Sequence, residues 1–288
     1  AAAAAKQQAR GAAELAAAAC ECVRQFLVGQ RPYAYSAYNV TRAVLQHHVQ
    51  LRACLAAFAA RFDPDAPQPS EAVEQAEAAA LAAVETVEDK VARQVLAGLL
   101  TLWRHTRRTN FFLPERFGLA LRLDPAVIEA IAGAPLEEGE PLPHALYFFS
   151  GPDMRGFHVR YREMARGGVR LVRARSPEQL EAEAGRLYGE AKNLALSQQY
   201  KNKDIPEGGA KAVLLLGPGA DPTLALKSAV DGLLDLLVPG PDGGSLPGVV
   251  DFLGREELVY LGPDEGITPE HIRWIVRRAA KRGYGWPR

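Results

Sequence analysis

The period at which apolar residues recur changes once along this chain, near residue 110, and no other feature limits its folds as tightly. Up to that point the spacing is three and four. Val44, Leu51, Leu55, Phe58 and Phe62 mark one face of a helix from Asn39 to Phe62, and Val84, Val87, Val91, Val95, Leu99 and Leu102 mark a long helix from Ser70 to about Arg107. An alanine-rich stretch from about residue 6 to 30 has high helix propensity, and residues 63–70, with three prolines, read as a linker. Beyond residue 110, short alternating runs predict strands at Phe117–Leu123, Ala145–Phe149, Gly156–Glu163, Gly168–Arg173, Ala212–Leu216 and Glu257–Leu261. Ser176-Pro177 opens a helix with Gln179 completing a capping box, and its stripe runs from Leu180 to Leu194. Further helices follow at Pro222–Val238 and from Thr268-Pro269 to about Arg282. The expectation is an α/β protein: a helical region over residues 1–110, then a three-layer α/β domain with a mixed sheet over 111–288.

A chain of 288 residues suits about two domains at roughly 150 residues each, and 48% apolar with 24% charged residues is ordinary globular composition. Lys plus Arg equal Asp plus Glu at 34 each, so net charge gives no reason to expect nucleic acid or a membrane as partner. Cys20, Cys22 and Cys54 form no CxxC, which fits a reducing, intracellular compartment, cytoplasmic or mitochondrial, and argues against a disulfide framework or a metal site. No apolar run reaches the ~18 residues of a membrane span. The chain opens on Ala1 rather than methionine and reads as a piece of a longer protein.

Cations and glycine pairs concentrate at the two ends of one helix, in GFHVRYREMARGGVR (156–170) and YKNKDIPEGGAK (200–211). Phe157, Val159 and Tyr161 alternate with His158, Arg160 and Arg162, and the arginine face cannot be deep core unless paired. Gly167-Gly168 and Gly208-Gly209 permit close backbone approach, with Arg166, Lys201 and Lys211 beside them to hold a small anion. A lone lysine is ordinarily solvated, and Lys201 near a helix C-terminus is favoured by the helix dipole alone. Asp264, after Gly262-Pro263, is either the acid of such a pocket or a turn-former. The arginine run Arg155–Arg175 also admits an anion- or RNA-binding module, although its aromatics fall on the opposite strand face. Gly217-Pro218-Gly219-Ala220 stands between strand and helix as a dinucleotide fingerprint requires, but Pro222 replaces the last glycine, and a turn with a helix cap explains it better. His48 reads as a packed or surface histidine rather than a ligand.

At these blocks the sequence resembles the glutamate dehydrogenase family, most closely its large NAD-specific class. GFHVRYREMARGGVR resembles the segment before the substrate site, KNKDIPEGGAK the lysine, spacer and GGAK of the family, and YLGPDEG its PAPD-like turn; the likeness runs from about Val91, through RRTNFF, to the chain's end. The resemblance implies Lys211 and Asp264 as catalytic residues and Arg166, Gly167, Gly168 and Lys201 as substrate-binding. Arg166 stands where small family members have a lysine, GGAK continues as Ala212-Val213 rather than a further glycine pair, and the lysine-to-lysine spacer is shorter. The implied reaction is oxidative deamination of L-glutamate to 2-oxoglutarate and ammonia by a homo-oligomer. It uses NAD, held mainly by a Rossmann domain that this chain lacks. Lys211 must shed its proton for part of such a cycle, which neighbouring cations and burial in a closed cleft favour.

Overall fold

In the computed structural model, which describes residues 2–66, 71–133, 136, 139–201 and 206–285, the change of period is a change of architecture. One unit comprises Ala1–His105 with Val127–Pro135, the other Thr106–Ala126 with Leu136–Arg288. The first holds six helices among its described residues: α1 (Ala2–Leu27), α2 (Ala37–Gln46), α3 (His48–Phe62), α4 (Glu71–Glu85), α5 (Lys90–His105) and α6 (Val127–Ala132). Both long helices expected from the apolar spacing are broken. His47 ends α2 with its N–H on the Ala43 carbonyl, and Asp89 accepts from the N–H of Ala92 at 2.8 Å to start α5. The apolar spacing runs through each break, so periodicity alone does not register it. His48 is exposed. Trp103, edge-on to Phe58 at 4.7 Å, donates its indole N–H to the Cys54 carbonyl at 3.1 Å. Cys20, Cys22 and Cys54 are buried free thiols, and burial, the largest cause, pushes those of Cys20 and Cys54 up to about 12.

The second unit is a mixed sheet with helices on both faces. Its strands are β1 (Thr106–Thr109), β2 (Leu119–Leu123), β3 (Ala145–Gly151), β4 (Met154–Arg160), β5 (Ala165–Arg166), β6 (Gly168–Arg173), β7 (Gly208–Leu216) and β8 (Gly262–Pro263); its helices are α7 (Pro177–Ala184), α8 (Leu187–Tyr200), α9 (Pro222–Leu237) and α10 (Pro269–Lys281). The sheet order is β1-β2-β3-β4-β7-β6-β8, antiparallel as far as β7 and parallel through β6 to β8, with β5 also beside β7. On one face Val169, Leu171, Ala212 and Leu214 join Leu226, Val230 and Leu233 of α9 and Ile275 of α10 in the core. On the other, Phe157 packs against Tyr188 of α8 with ring centroids 5.4 Å apart.

Four local expectations change. Thr106 and Arg107, read as the end of a helix, begin the edge strand β1. The helix opened by Ser176 is two helices, because Gly185 caps α7 before α8 begins. Gln179 accepts from the N–H of Arg175, not that of Ser176, so the box is shifted by one residue. Residues 257–261 form no strand: the hydroxyl of Tyr284 accepts from Val259 N–H at 2.7 Å and donates to its carbonyl at 3.1 Å, taking both groups a ladder would use. No helix among the described residues is long and apolar enough to cross a membrane, and no group of three or more His, Cys, Asp or Glu among them is placed to hold a metal ion.

Candidate active site

Lys211 and Asp264, 53 positions apart in sequence, meet because three parallel strands lie in one register. Val169 pairs with Ala212 on one side and with Pro263 on the other, and Gly168 pairs with Gly262. Lys211 then stands level with Gly168, and Asp264 falls two residues beyond Gly262 on the same face, the face that packs on α8. The Lys211 ammonium donates to Asp264 Oδ2 across the gap where Gly168 has no side chain. A Cβ at Gly168 would lie 2.8 Å from the Pro263 carbonyl oxygen and 2.9 Å from Asp264 Cβ. Lys211, 5% exposed, lies inside a strand buried along its whole length, whereas the Asp264 carboxylate is 28% exposed.

A second cation shares that carboxylate. Arg170, two residues after Gly168 on β6, donates from Nε to Asp264 Oδ2 at 3.1 Å and from Nη1 to Glu190 Oε1 of α8 at 3.1 Å. Burial alone would raise the Asp264 carboxyl, but hydrogen bonds from Lys211 and Arg170, and their charges, hold it below the ordinary carboxylate value. Neither Arg170 nor Glu190 was assigned a role from sequence. The strand period places Arg170 on the same face as Gly168, but nothing local in the sequence couples it to a helix 20 positions on.

The guanidinium of Arg166 is engaged by backbone: Nη1 donates to the Glu207 carbonyl at 2.7 Å, and Nη2 to those of Gln198 at 3.2 Å and Lys201 at 3.4 Å, while its buried Nε has no partner. It thereby caps the C-terminal end of α8, where Lys201 itself is exposed. Asn202 to Ile205, in the spacer between the two lysines, lie outside the described residues. The glycine pairs serve the chain's own packing. A Cβ at Gly167 would meet the Ala210 carbonyl oxygen at 1.8 Å, and one at Gly209 the Gln199 nitrogen at 2.2 Å. So the structure brings Lys211, Asp264 and Gly168 together, with Arg166 and the Lys201 carbonyl joined at the adjoining end of α8.

A second charged cluster lies on the opposite face of the sheet, the face that packs on α9. Glu257, 4% exposed, accepts from Arg122 at 3.0 and 2.8 Å, from Arg160 at 2.7 Å and from the Tyr147 hydroxyl at 2.6 Å. Burial would raise its carboxyl, yet the Arg122 hydrogen bonds and charge, the Tyr147 hydrogen bond and the Arg160 charge bring it down to about 2. This satisfies the pairing condition set for the arginine face of β4. Arg160 is 1% exposed and donates from its two terminal nitrogens to Glu257 and the carbonyls of Glu163 and Leu258.

A cleft of about 1490 Å³ opens beside the site, and Arg170, Glu190 and Glu265 form part of its wall. The turn Gly217–Pro222 borders the same cleft. Its Asp221 side chain accepts from the N–H groups of Thr223 and Leu224, which places a negative charge on the amides that a dinucleotide's pyrophosphate would need. The described residues here do not fit that cofactor.

Residues 78–216 match the family model described as bacterial NAD-glutamate dehydrogenase, catalytic domain. That segment contains Arg166, Gly167, Gly168, Lys201 and Lys211, and Asp264 lies beyond it. Glutamate dehydrogenase 2 of Dictyostelium discoideum is 36% identical over 69% of this chain and 18% of its own length. The NAD-specific glutamate dehydrogenase of Neurospora crassa is 38% identical over 62% of this chain and 17% of its own. A probable NAD-specific glutamate dehydrogenase of Schizosaccharomyces pombe is 39% identical over 63% and 16% respectively. The chain thus spans less than a fifth of the length of these relatives. The chain is similar in sequence to these glutamate dehydrogenases, and residues 78–216 match the family model of a catalytic domain.

Proposed function

We propose that this chain supplies the substrate-binding and proton-transfer residues for the oxidative deamination of L-glutamate to 2-oxoglutarate and ammonia, with residues 111–288 as the substrate domain. The observation that carries this is the contact between Lys211 and Asp264, a buried amine against a half-open carboxylate. Such a pair can divide the proton transfers. With Lys211 neutral, its Nζ accepts a proton from a water attacking the α-carbon of the imino acid, and Asp264, having taken a proton from the substrate nitrogen, returns it as that nitrogen departs. Arg166, held at the α8 terminus with its Nε unpartnered, and Lys201 supply positive charge for the two substrate carboxylates, and the Gly167-Gly168 backbone brings β6 close to the reacting carbon.

NAD as hydride acceptor is assigned to another part of the full-length protein, since Asp221 occupies the amides of the one candidate turn. The isolated chain should therefore turn over no glutamate, and measurable turnover by it alone would refute that division. In the full-length protein, which on this reading is an intracellular homo-oligomer, Lys211→Ala and Asp264→Asn should each lower kcat ~10²–10⁴-fold. Rates equal to wild type for both variants would remove the catalytic assignment. The alternative, an anion- or RNA-binding module built on Arg155–Arg175, is disfavoured because Arg160 and Arg170 are already paired with carboxylates of the protein itself.

A further inference from the structure

We infer that Arg170 is a positioning residue of this site: tethered by Glu190, it holds the Asp264 carboxylate in place while Lys211 loses and regains its charge. The inference rests on the reading of Lys211 and Asp264 as a proton-transfer pair. Asp264 sits on a turn after a strand of two residues, where the Leu171 N–H donates to the Glu265 carbonyl at 2.9 Å and the Ile267 N–H to the Asp264 carbonyl at 3.1 Å. The backbone is thus tied, and the direction of the carboxylate is left to its side-chain partners. An ion pair with Lys211 alone would release the carboxylate whenever the amine became neutral, which is the moment at which its position matters. Arg170 cannot give up its proton under such conditions, and so its grip persists through the cycle. The guanidinium plane is fixed from the opposite side by Glu190 on α8, and α8 is itself tied at its C-terminal end by Arg166.

The charged groups facing Asp264 are Lys211 from β7 and Arg170 from β6, with Glu190 of α8 and the neighbouring Glu265 reaching it through Arg170, the latter at 3.6 Å from Arg170 Nε. Arg170 therefore has two separable effects. Its charge keeps Asp264 a strong proton donor once protonated, and its fork, spread between two carboxylates, sets the direction in which Asp264 points. A lysine would preserve the first and lose the second.

The test is the pH dependence of kcat and kcat/KM of the full-length protein with glutamate and NAD. Arg170→Gln should lower kcat ~10²-fold, change KM for glutamate far less, and move the acid limb of kcat/KM up by about one pH unit. Arg170→Lys and Glu190→Gln should keep the acid limb at its wild-type pH while kcat falls, and Arg170→Lys gives the readout if Arg170→Gln does not fold. Wild-type kcat in Arg170→Lys, or a wild-type acid limb in Arg170→Gln, overturns the inference. If Lys211→Ala and Asp264→Asn abolish turnover while the Arg170 variants behave as wild type, this inference alone falls. If Lys211→Ala and Asp264→Asn also turn over normally, the proposed function falls with it.

Discussion

A methyl group is the smallest probe of how tightly β5, β6 and β7 are joined. At position 167 it would be driven to 1.8 Å from the Ala210 carbonyl oxygen, a backbone atom with no freedom to rotate aside. Gly167→Ala should cost about 3 kcal/mol or more of stability, read as a lower urea midpoint. At position 168 the methyl meets Pro263 and Asp264 Cβ just under 3 Å away, and the turn can shift by tenths of an ångström. Gly168→Ala should therefore cost less stability than Gly167→Ala and lower kcat about tenfold or more, because it moves Asp264 relative to Lys211. If the two variants lose stability equally, this division of labour between adjacent glycines is wrong. Both glycines stand out in the sequence as sites of close approach, but what approaches them is this chain's own backbone, and only the pairing of strands shows that.

Among the elements, the edge strand β1 and helix α9 are joined by the Arg108 guanidinium on the Leu236 carbonyl and, just past β1, by a buried amide. Asn110, fully buried, donates to the Gly118 carbonyl and to Asp235 Oδ2 of α9, both at 2.8 Å, and accepts from Ala120 N–H at 2.8 Å. Asp235 also receives Arg282 at 2.7 Å, so one acid links the sheet edge to the residue capping α10. Asn110→Ala should lower stability by about 2–3 kcal/mol, since three buried groups lose a partner at once. A urea midpoint within error of wild type would show that water replaces the amide. The sequence marks Thr109–Phe112 as a break in the helical pattern and gives no sign that the break is a strand followed by a polar junction. In the same way α2 and α3, and α4 and α5, read as continuous helices because the apolar stripe survives each interruption, and the residues that end them act through caps rather than through hydrophobicity.

At the scale of the whole molecule, buried charge links the sheet to pH. His158, 1% exposed in β4, is held neutral chiefly by burial and then by the Arg160 charge, which lowers it from 6.5 to about 3. Its folded value is depressed, so the unfolded chain binds the proton first. This contribution is complete above about pH 6.5 and declines as pH falls towards 3. Glu257 is depressed from 4.5 to about 2, so its contribution, on the order of 3 kcal/mol, persists to about pH 4.5 and is lost below it. Urea midpoints should fall between pH 7 and pH 5 and again below pH 4.5. His158→Leu should flatten the first decline and Glu257→Gln the second, and unchanged slopes in both would exclude these groups as its source. Sequence alone determined the succession of a helical region and an α/β region, most strand and helix positions after residue 117, and the residues that mark the family resemblance, because local spacing and caps act over a few positions. The tertiary structure alone decided that Lys211 meets Asp264, that Arg170 and Glu190 complete their surroundings, and that Glu257 rather than a strand anchors residues 257–261. Those outcomes depend on register between strands distant in sequence, and register is set by how whole faces of the sheet pack, not by any one segment.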